Sequence, residues 1–315
     1  MVTAARRICL ALAALVLLVF PATSAAAQPV PHSRLHGAGA FEGPVHRVAV
    51  DGIRIGYRQF GHGPDLIMVQ GDTAAMSLWM PYLLHPLARH FRVTIFDNRG
   101  VGYTSDDLSK PITVPLMARD TGDLIEALGL EKPTLVGWSM GGEIGLTLAE
   151  RRPSLLGALV TTGGDAGSRH TVPPPPGLIR RLADPKSGDE VFLELLFPAT
   201  AAGGAATARF IHGYESVPQE KVSARTLKRQ EAAEEAFLHY TGTWRGLPSI
   251  TTPTLLTNGG LDPGVPPVNA RRMHARIPGS SLSIYQGAAH GMLFQDAERF
   301  AAQITAFSAR VTTHP

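Results

Sequence analysis

Apolar and polar positions alternate along residues 45–61 in two short stretches, VHRVAV and IRIGYRQFG, joined by Asp51-Gly52. That pattern predicts a β-hairpin with a tight turn. A short apolar run, DLIMVQG, follows and ends at Gly71. Residues 77–90 (SLWMPYLLHPLARH) then carry apolar side chains at helical spacing, interrupted by Pro81 and Pro86. RVTIFD reads as a strand. In VPLMARDTGDLIEALGL, Leu116, Leu124 and Leu128 share one helical face, and Gly129 suits the end of the helix. PTLVGWS predicts a strand, MGGEIGLTLAERRP a helix and LLGALVTTGG another strand.

From about 168 to 246 the rhythm breaks. Pro173 to Pro176 form a run of four prolines, and two helical patches follow, DEVFLELLF and ARTLKRQEAAEEAFLHY, with no strand pattern between them. The strand–helix alternation returns with TPTLLTNG, a helix near 267–277, the strand SLSIYQG and a last helix over 293–310. Strands alternating with helices predict an α/β fold, a mostly parallel doubly wound sheet. The expected division is a core of 41–167 and 247–315, with a helical cap, 168–246, inserted after the sixth strand. Ligands of such sheets bind at the carboxyl ends of the strands.

The amino-terminal residues stand outside that pattern. Arg6 and Arg7 precede a thirteen-residue apolar run, Ile8 to Phe20, which Pro21 ends and Ala25-Ala26-Ala27 follows. A basic start, an apolar centre too short to span a bilayer and small residues at the end predict a signal peptide over 1–27. The expected destination is secretion, the periplasm or the cell envelope, with no stable membrane span after processing. Residues 28–40 are rich in Pro and Gly and read as a flexible lead-in; His32 and His36 there lack the further ligands a metal site needs.

Cys9 is the only cysteine and lies inside the leader. A processed chain would hold neither a disulfide nor a thiol nucleophile. Arg6 and Arg7 also account for most of the net charge of +3. The remaining basic and acidic residues nearly balance, without a run of like charge, so there is no electrostatic case for a nucleic-acid partner.

Gly137-Trp138-Ser139-Met140-Gly141 fits G-x-S-x-G, directly after an apolar strand and directly before a helix. In that setting the pattern predicts a nucleophile elbow, with glycines where the sharp turn leaves no room for side chains. A serine hydroxyl needs a base to take its proton. His290, in GAAHGM after the strand SLSIYQ, is the candidate base. Asp262, in NGGLDPGVP after TPTLLTN, is the candidate acid that orients it; Asp165, in TTGGDAG, competes. The order Ser139, Asp262, His290 favours Asp262. The backbone N–H groups of Met140 and Asp72 are the candidate oxyanion donors, and the Asp72 carboxylate is expected to point away from the charge they hold.

With these residues in view the chain resembles the α/β-hydrolase superfamily across roughly 44–310. GWSMGG at 137–142 looks like its elbow, and FDNRGVGYTS at 96–105 is similar to its D-x-R-G-x-G-x-S segment. NGGLDPGVP and GAAHG match its acid and histidine loops, and LLFP is similar to a cap segment of esterase-like members. Two positions depart from the family: Gln70-Gly71 stands where members carry His-Gly, and Ala289 where they carry glycine.

The resemblance implies an esterase-like serine hydrolase that forms an acyl-enzyme and requires neither a metal nor an organic cofactor. The substrate is expected to be a small molecule with a small to medium, largely apolar acyl group. Trp138, Trp79, Phe197 and Phe237 are candidate substrate-binding residues, and Phe192, Leu195, Leu196 and Tyr240 are apolar cap positions that either face substrate or pack the cap onto the core. Two other readings fit the sequence: cofactor-free perhydrolysis or C–C bond hydrolysis on the same triad, and a non-catalytic ligand-binding or signalling protein that keeps the fold.

Overall fold

A computed structural model describes residues 41, 43–184 and 186–313. The leader and lead-in expected over 1–40, with Cys9, His32 and His36, lie outside the described residues. Eight strands form one sheet: β1 (His46–Val50), β2 (Ile53–Gly61), β3 (Asp65–Val69), β4 (Arg92–Phe96), β5 (Thr134–Trp138), β6 (Ala158–Thr162), β7 (Thr254–Gly259) and β8 (Ser281–Tyr285). Their order is β1-β2-β4-β3-β5-β6-β7-β8. β1 and β2 pair antiparallel, as do β2 and β4; every other pairing is parallel. The hairpin turn has Asp51 at φ 39° and Gly52 at φ 81°, both in the left-handed region, where Asp and Gly are tolerated best.

The central strands are buried along their whole length, so they read as continuous apolar runs. Successive residues still divide between two cores. Leu66, Met68, Val136 and Val160 join one apolar cluster, packed with α1 (Pro81–Ala88) and the last helix. Ile67, Val69, Leu135 and Leu159 join the other, with α2 (Val114–Ala127) and α3 (Met140–Arg151). Period-two alternation thus glues helices to both faces of the sheet. Thr113 caps α2 by accepting the Leu116 N–H at 3.1 Å, and Gly129, at φ 59°, ends it.

Between β6 and β7 lie α4 (Pro176–Ala183), α5 (Asp189–Leu196), α6 (Ala201–Glu215) and α7 (Ala224–Ala236), a helical cap inserted after the sixth strand. The sequence pattern picks out α5 and α7 but not α4 or α6. None of the described side chains of α4 is buried, and α6 buries only Gly203, Ala206, Phe210 and Gly213, so neither carries a broad apolar stripe.

The helix near 267–277 is α8 (Val268–His274). The last predicted helix is two, α9 (Met292–Gln295) and α10 (Ala297–Thr313), broken at Asp296. Pro81 opens α1 rather than interrupting it, since the first helical turn needs no N–H there. Among the described residues no helix is long and apolar enough to cross a membrane.

Candidate active site

Strand β5 ends at Trp138 and α3 begins at Met140, leaving Ser139 between them at φ 55°, ψ −125°. A non-glycine residue is strained there. Two backbone bonds hold it: Ser139 N–H donates to Thr162 O at 2.9 Å, and Ser139 O accepts from Gly142 N–H at 2.8 Å. The glycines are required by packing. A Cβ on Gly137 would overlap the Gly141 carbonyl, and one on Gly141 would overlap the carbonyl of Val69.

His290 and Asp262 meet across the ends of β7 and β8. Asp262 Oδ2 accepts from His290 Nδ1 at 2.9 Å. The other oxygen, Oδ1, accepts the backbone N–H groups of Gly264 and Val265, each at 2.9 Å, and Asn258 Nδ2 donates to Oδ2 at 3.2 Å. Both residues are 4% exposed. Burial works against the imidazolium, but the charge and hydrogen bond of Asp262, with Glu234 adding, outweigh it and raise the His290 pKa above its ordinary value. Among the described residues Asp165 makes no hydrogen bond to the imidazole. Its Oδ1 accepts from Gly167 N–H at 2.6 Å and Thr171 Oγ1 at 3.1 Å, within its own loop.

The histidine loop is held from two sides. The Trp138 indole N–H donates to His290 O at 3.1 Å, with the two rings 5.4 Å apart. From the cap, the Leu195 and Leu196 carbonyls at the end of α5 accept the N–H groups of His290 and Gly291, at 3.3 and 2.8 Å. The imidazole and Ser139 flank Gly163-Gly164. A Cβ on Gly163, at φ 58°, would stand 3.0 Å from His290 Nδ1, and one on Gly164 3.0 Å from Ser139 O. Ser139 Oγ makes no hydrogen bond to the imidazole in this structure; such bonds commonly tighten only when substrate arrives.

The N–H groups of Met140 and Asp72 have no protein acceptor among the described residues. The loop that carries Asp72 is pinned twice. Asn98 Nδ2 donates to Gln70 O at 3.2 Å, and Thr73 N–H, at φ 57°, donates to Gln230 Oε1 of α7 at 2.8 Å. Gln70, in the family's histidine position, folds back so that its Oε1 accepts Gly71 N–H at 3.3 Å. The Asp72 carboxyl is half-buried and its Oδ1 lacks a partner. Burial, then the charges of Glu234 and Glu231, raise its pKa well above the usual range. A carboxyl pushed toward its neutral form repels a neighbouring oxyanion less than a free carboxylate does.

The D-x-R-G segment supports this loop. Asp97 accepts the N–H groups of Met76 and Tyr103 at 2.7 and 2.8 Å, and Arg99 makes a two-pronged ion pair with Asp120 of α2 at 2.8 and 2.7 Å, fully buried.

The large apolar candidates are packed. Trp79, Trp138 and Phe197 belong to the apolar cluster on the His290 side, with Phe210 and Phe294 between them. Phe237 lies in the opposite cluster with Met140 and Ala166. Leu196 is buried, Phe192 and Leu195 partly so, and the Tyr240 side chain lies outside the described residues.

Sequence reasoning missed Asn98, Glu143, Gln230 and Glu234. The signal that could have found the last two is their four-residue spacing on the α7 face that also carries Thr226, Ala233 and Phe237, all buried: polar side chains on a core-facing stripe.

Comparison with known proteins agrees with the fold. A family profile described as alpha/beta hydrolase fold matches residues 64–297. A protein of Caulobacter sp. (strain K31) named "Putative carbamate hydrolase RutD" is 29% identical over 276 residues, covering 82% of this chain and 96% of its own. An alpha/beta hydrolase fold protein from Chitinophaga pinensis superposes with a TM-score of 0.73 at 28% identity, over 84% of this chain and 96% of that one. A thermophilic esterase from Thermogutta terrifontis shares the fold, with a TM-score of 0.65 at 24% identity over 84% and 99% of the two chains.

Proposed function

The chain belongs to the alpha/beta hydrolase fold family and to its serine hydrolases, and from that premise we propose that it cleaves a carboxylic ester with a small to medium, largely apolar acyl group. The observation that carries the site assignment is the buried hydrogen bond between His290 Nδ1 and Asp262 Oδ2, set beside a serine held at φ 55°. In this reading Asp262 fixes the tautomer, leaving the Nε2 lone pair free to take the Ser139 proton. Ser139 Oγ attacks the acyl carbonyl, and the N–H groups of Met140 and Asp72 receive the developing charge. His290 returns the proton to the leaving alcohol, and water then releases the acid by the same steps in reverse roles.

The apolar acyl preference is proposed from the resemblance and from the apolar surroundings of His290; Trp79, Trp138 and Phe197 are themselves packed in the core on that side, and Phe237 is assigned to anchoring α7. Export through the leader at 1–27 is part of the proposal and is tested by sequencing the amino terminus of the secreted chain. The test of the reaction is a panel of acyl chain lengths on wild type and Ser139→Ala. Turnover lost in a folded Ser139→Ala supports the reading; retained turnover, or fastest hydrolysis of charged acyl groups, overturns it. An alkyl carbamate belongs in the panel because the Caulobacter relative is named for carbamate hydrolysis. Hydrogen peroxide as competing acceptor separates ester hydrolysis from perhydrolysis.

A further inference from the structure

The loop after β3 lies directly against the nucleophile. A Cβ on Gly71 would stand 3.0 Å from Ser139 Cβ and 3.4 Å from Trp138 O, so only bare backbone fits between the loop and the serine. Asp72 N–H comes one residue later, and its direction is set by what holds the loop on either side. Before it, Asn98 Nδ2 donates to Gln70 O at 3.2 Å, an anchor within the core. After it, Thr73 N–H donates to Gln230 Oε1 at 2.8 Å, and that anchor belongs to the cap. Thr73 stands at φ 57°, where a β-branched residue is strained. Such strain persists only where the surroundings over-determine it.

Gln230 is itself located. It is fully buried, and its Nε2 donates to Arg99 O at 3.4 Å while its Oε1 accepts from Thr73. The amide has one orientation, because Thr73 N–H needs an oxygen and Arg99 O needs an N–H. Arg99 is locked in turn by its two-pronged pair with Asp120. On the same face of α7, one turn earlier, Thr226 Oγ1 donates to Gly100 O at 3.0 Å, and Arg229 forms an ion pair with Asp106. These contacts seat α7 on the 99–106 segment without the help of the Gln230 amide. Gln230 carries that seat across to the loop beside the serine.

We propose that Gln230 is a positioning residue: reaching in from the cap, it aims the Asp72 N–H at the oxygen of the tetrahedral intermediate. The inference rests on the proposed ester reading, in which Asp72 N–H is an oxyanion donor. The cap then does more than roof the site, since one of its side chains completes the oxyanion hole. The benefit falls on the transition state, because the substrate oxygen carries its full charge only there.

The experiment measures kcat and KM for butyrate ester hydrolysis in wild type, Gln230→Met and Thr226→Val, with thermal melts of all three. Gln230→Met keeps the length of the side chain and removes both hydrogen bonds. Its kcat should fall about tenfold to a hundredfold, with KM within about twofold of wild type. Binding of propyl trifluoromethyl ketone, whose adduct on Ser139 puts an oxyanion in the hole, should weaken by the same factor. Thr226→Val loosens the seat of the same helix without touching the loop. It should lower the melting midpoint and leave kcat within about twofold. A folded Gln230→Met with kcat near wild type, a rise in KM alone, unchanged ketone binding, or an equal loss of kcat in Thr226→Val overturns the proposal. Should Gln230→Met not fold, Gln230→Asn, one methylene shorter and unable to span Thr73 and Arg99 together, is read the same way. Hydrolysis lost in Ser139→Ala leaves the serine reading standing under any of these outcomes.

Discussion

Replacing Asp262 with Asn tests the geometry of the triad without changing its shape. Asp262 Oδ1 is clamped by two backbone donors, Gly264 and Val265, each at 2.9 Å. An asparagine must place its carbonyl oxygen there, because its amide group would meet two N–H groups head-on. The amide nitrogen then falls at the Oδ2 position, 2.9 Å from His290 Nδ1 and 3.2 Å from Asn258 Nδ2. The imidazole can accept this contact only with its Nδ1 lone pair, so its proton moves to Nε2, the atom that must be free to act as base. Inverting the tautomer this way costs a serine protease about ten-thousand-fold in kcat, or about 5.5 kcal/mol of transition-state stabilisation. The assay is steady-state hydrolysis of a chromogenic butyrate ester, with circular dichroism to confirm folding. Asp165→Asn is the control and should leave kcat nearly unchanged, because Asp165 serves only its own loop. An Asp262→Asn enzyme within about tenfold of wild type, or an equal loss in Asp165→Asn, would refute the reasoning.

Ser139→Gly should stabilise the fold by about 1 kcal/mol, because glycine tolerates the positive φ of 55°; Ser139→Ala should give no such gain, and thermal melts of the two variants check it. Stability as a whole should fall as pH rises from 5 to 8. Burial raises the folded-state pKa of Asp97 and of Glu234 to about 7, and moves Asp72, Glu143 and Asp165 in the same direction. Groups raised on folding contribute fully below the ordinary carboxyl range and lose that contribution as pH climbs through their folded values; His290, also raised, has the same sign. A midpoint that is flat or rises across that range would contradict the burial of these acids. Asp120→Ala should cost about 3–5 kcal/mol, since it strands Arg99 as a buried, unpaired charge; urea titration measures the loss.

The sheet, its two helical faces and the place of the cap were legible because their signals are local. Period-two runs such as TLVGW and the turn chemistry of Asp51-Gly52 need no knowledge of partners. The elbow and the acid and histidine loops were legible for the same reason: each sits where a strand pattern stops. α4 and α6 escaped because the described side chains of one are not buried and the other packs mostly through small residues, Gly203, Ala206 and Gly213, that leave no hydrophobic period. Trp79, Phe197 and Phe237 could be flagged as apolar, but whether such a ring lines a cavity or fills a core depends on what stands opposite it. Gln230 is a different case: its place on a core-facing stripe was there to be read, but its partner, Thr73, lies more than 150 residues away in sequence, and no local pattern names a partner across that gap.

The claim on which the rest depends is that Ser139 is a reactive nucleophile. Incubation of the folded protein with a fluorophosphonate probe, followed by intact-mass measurement and peptide mapping, addresses it directly. One adduct per chain, located on Ser139 and abolished in Ser139→Ala, is the predicted result. A well-folded chain that takes up no probe, or one labelled equally after Ser139 is replaced, would contradict the account.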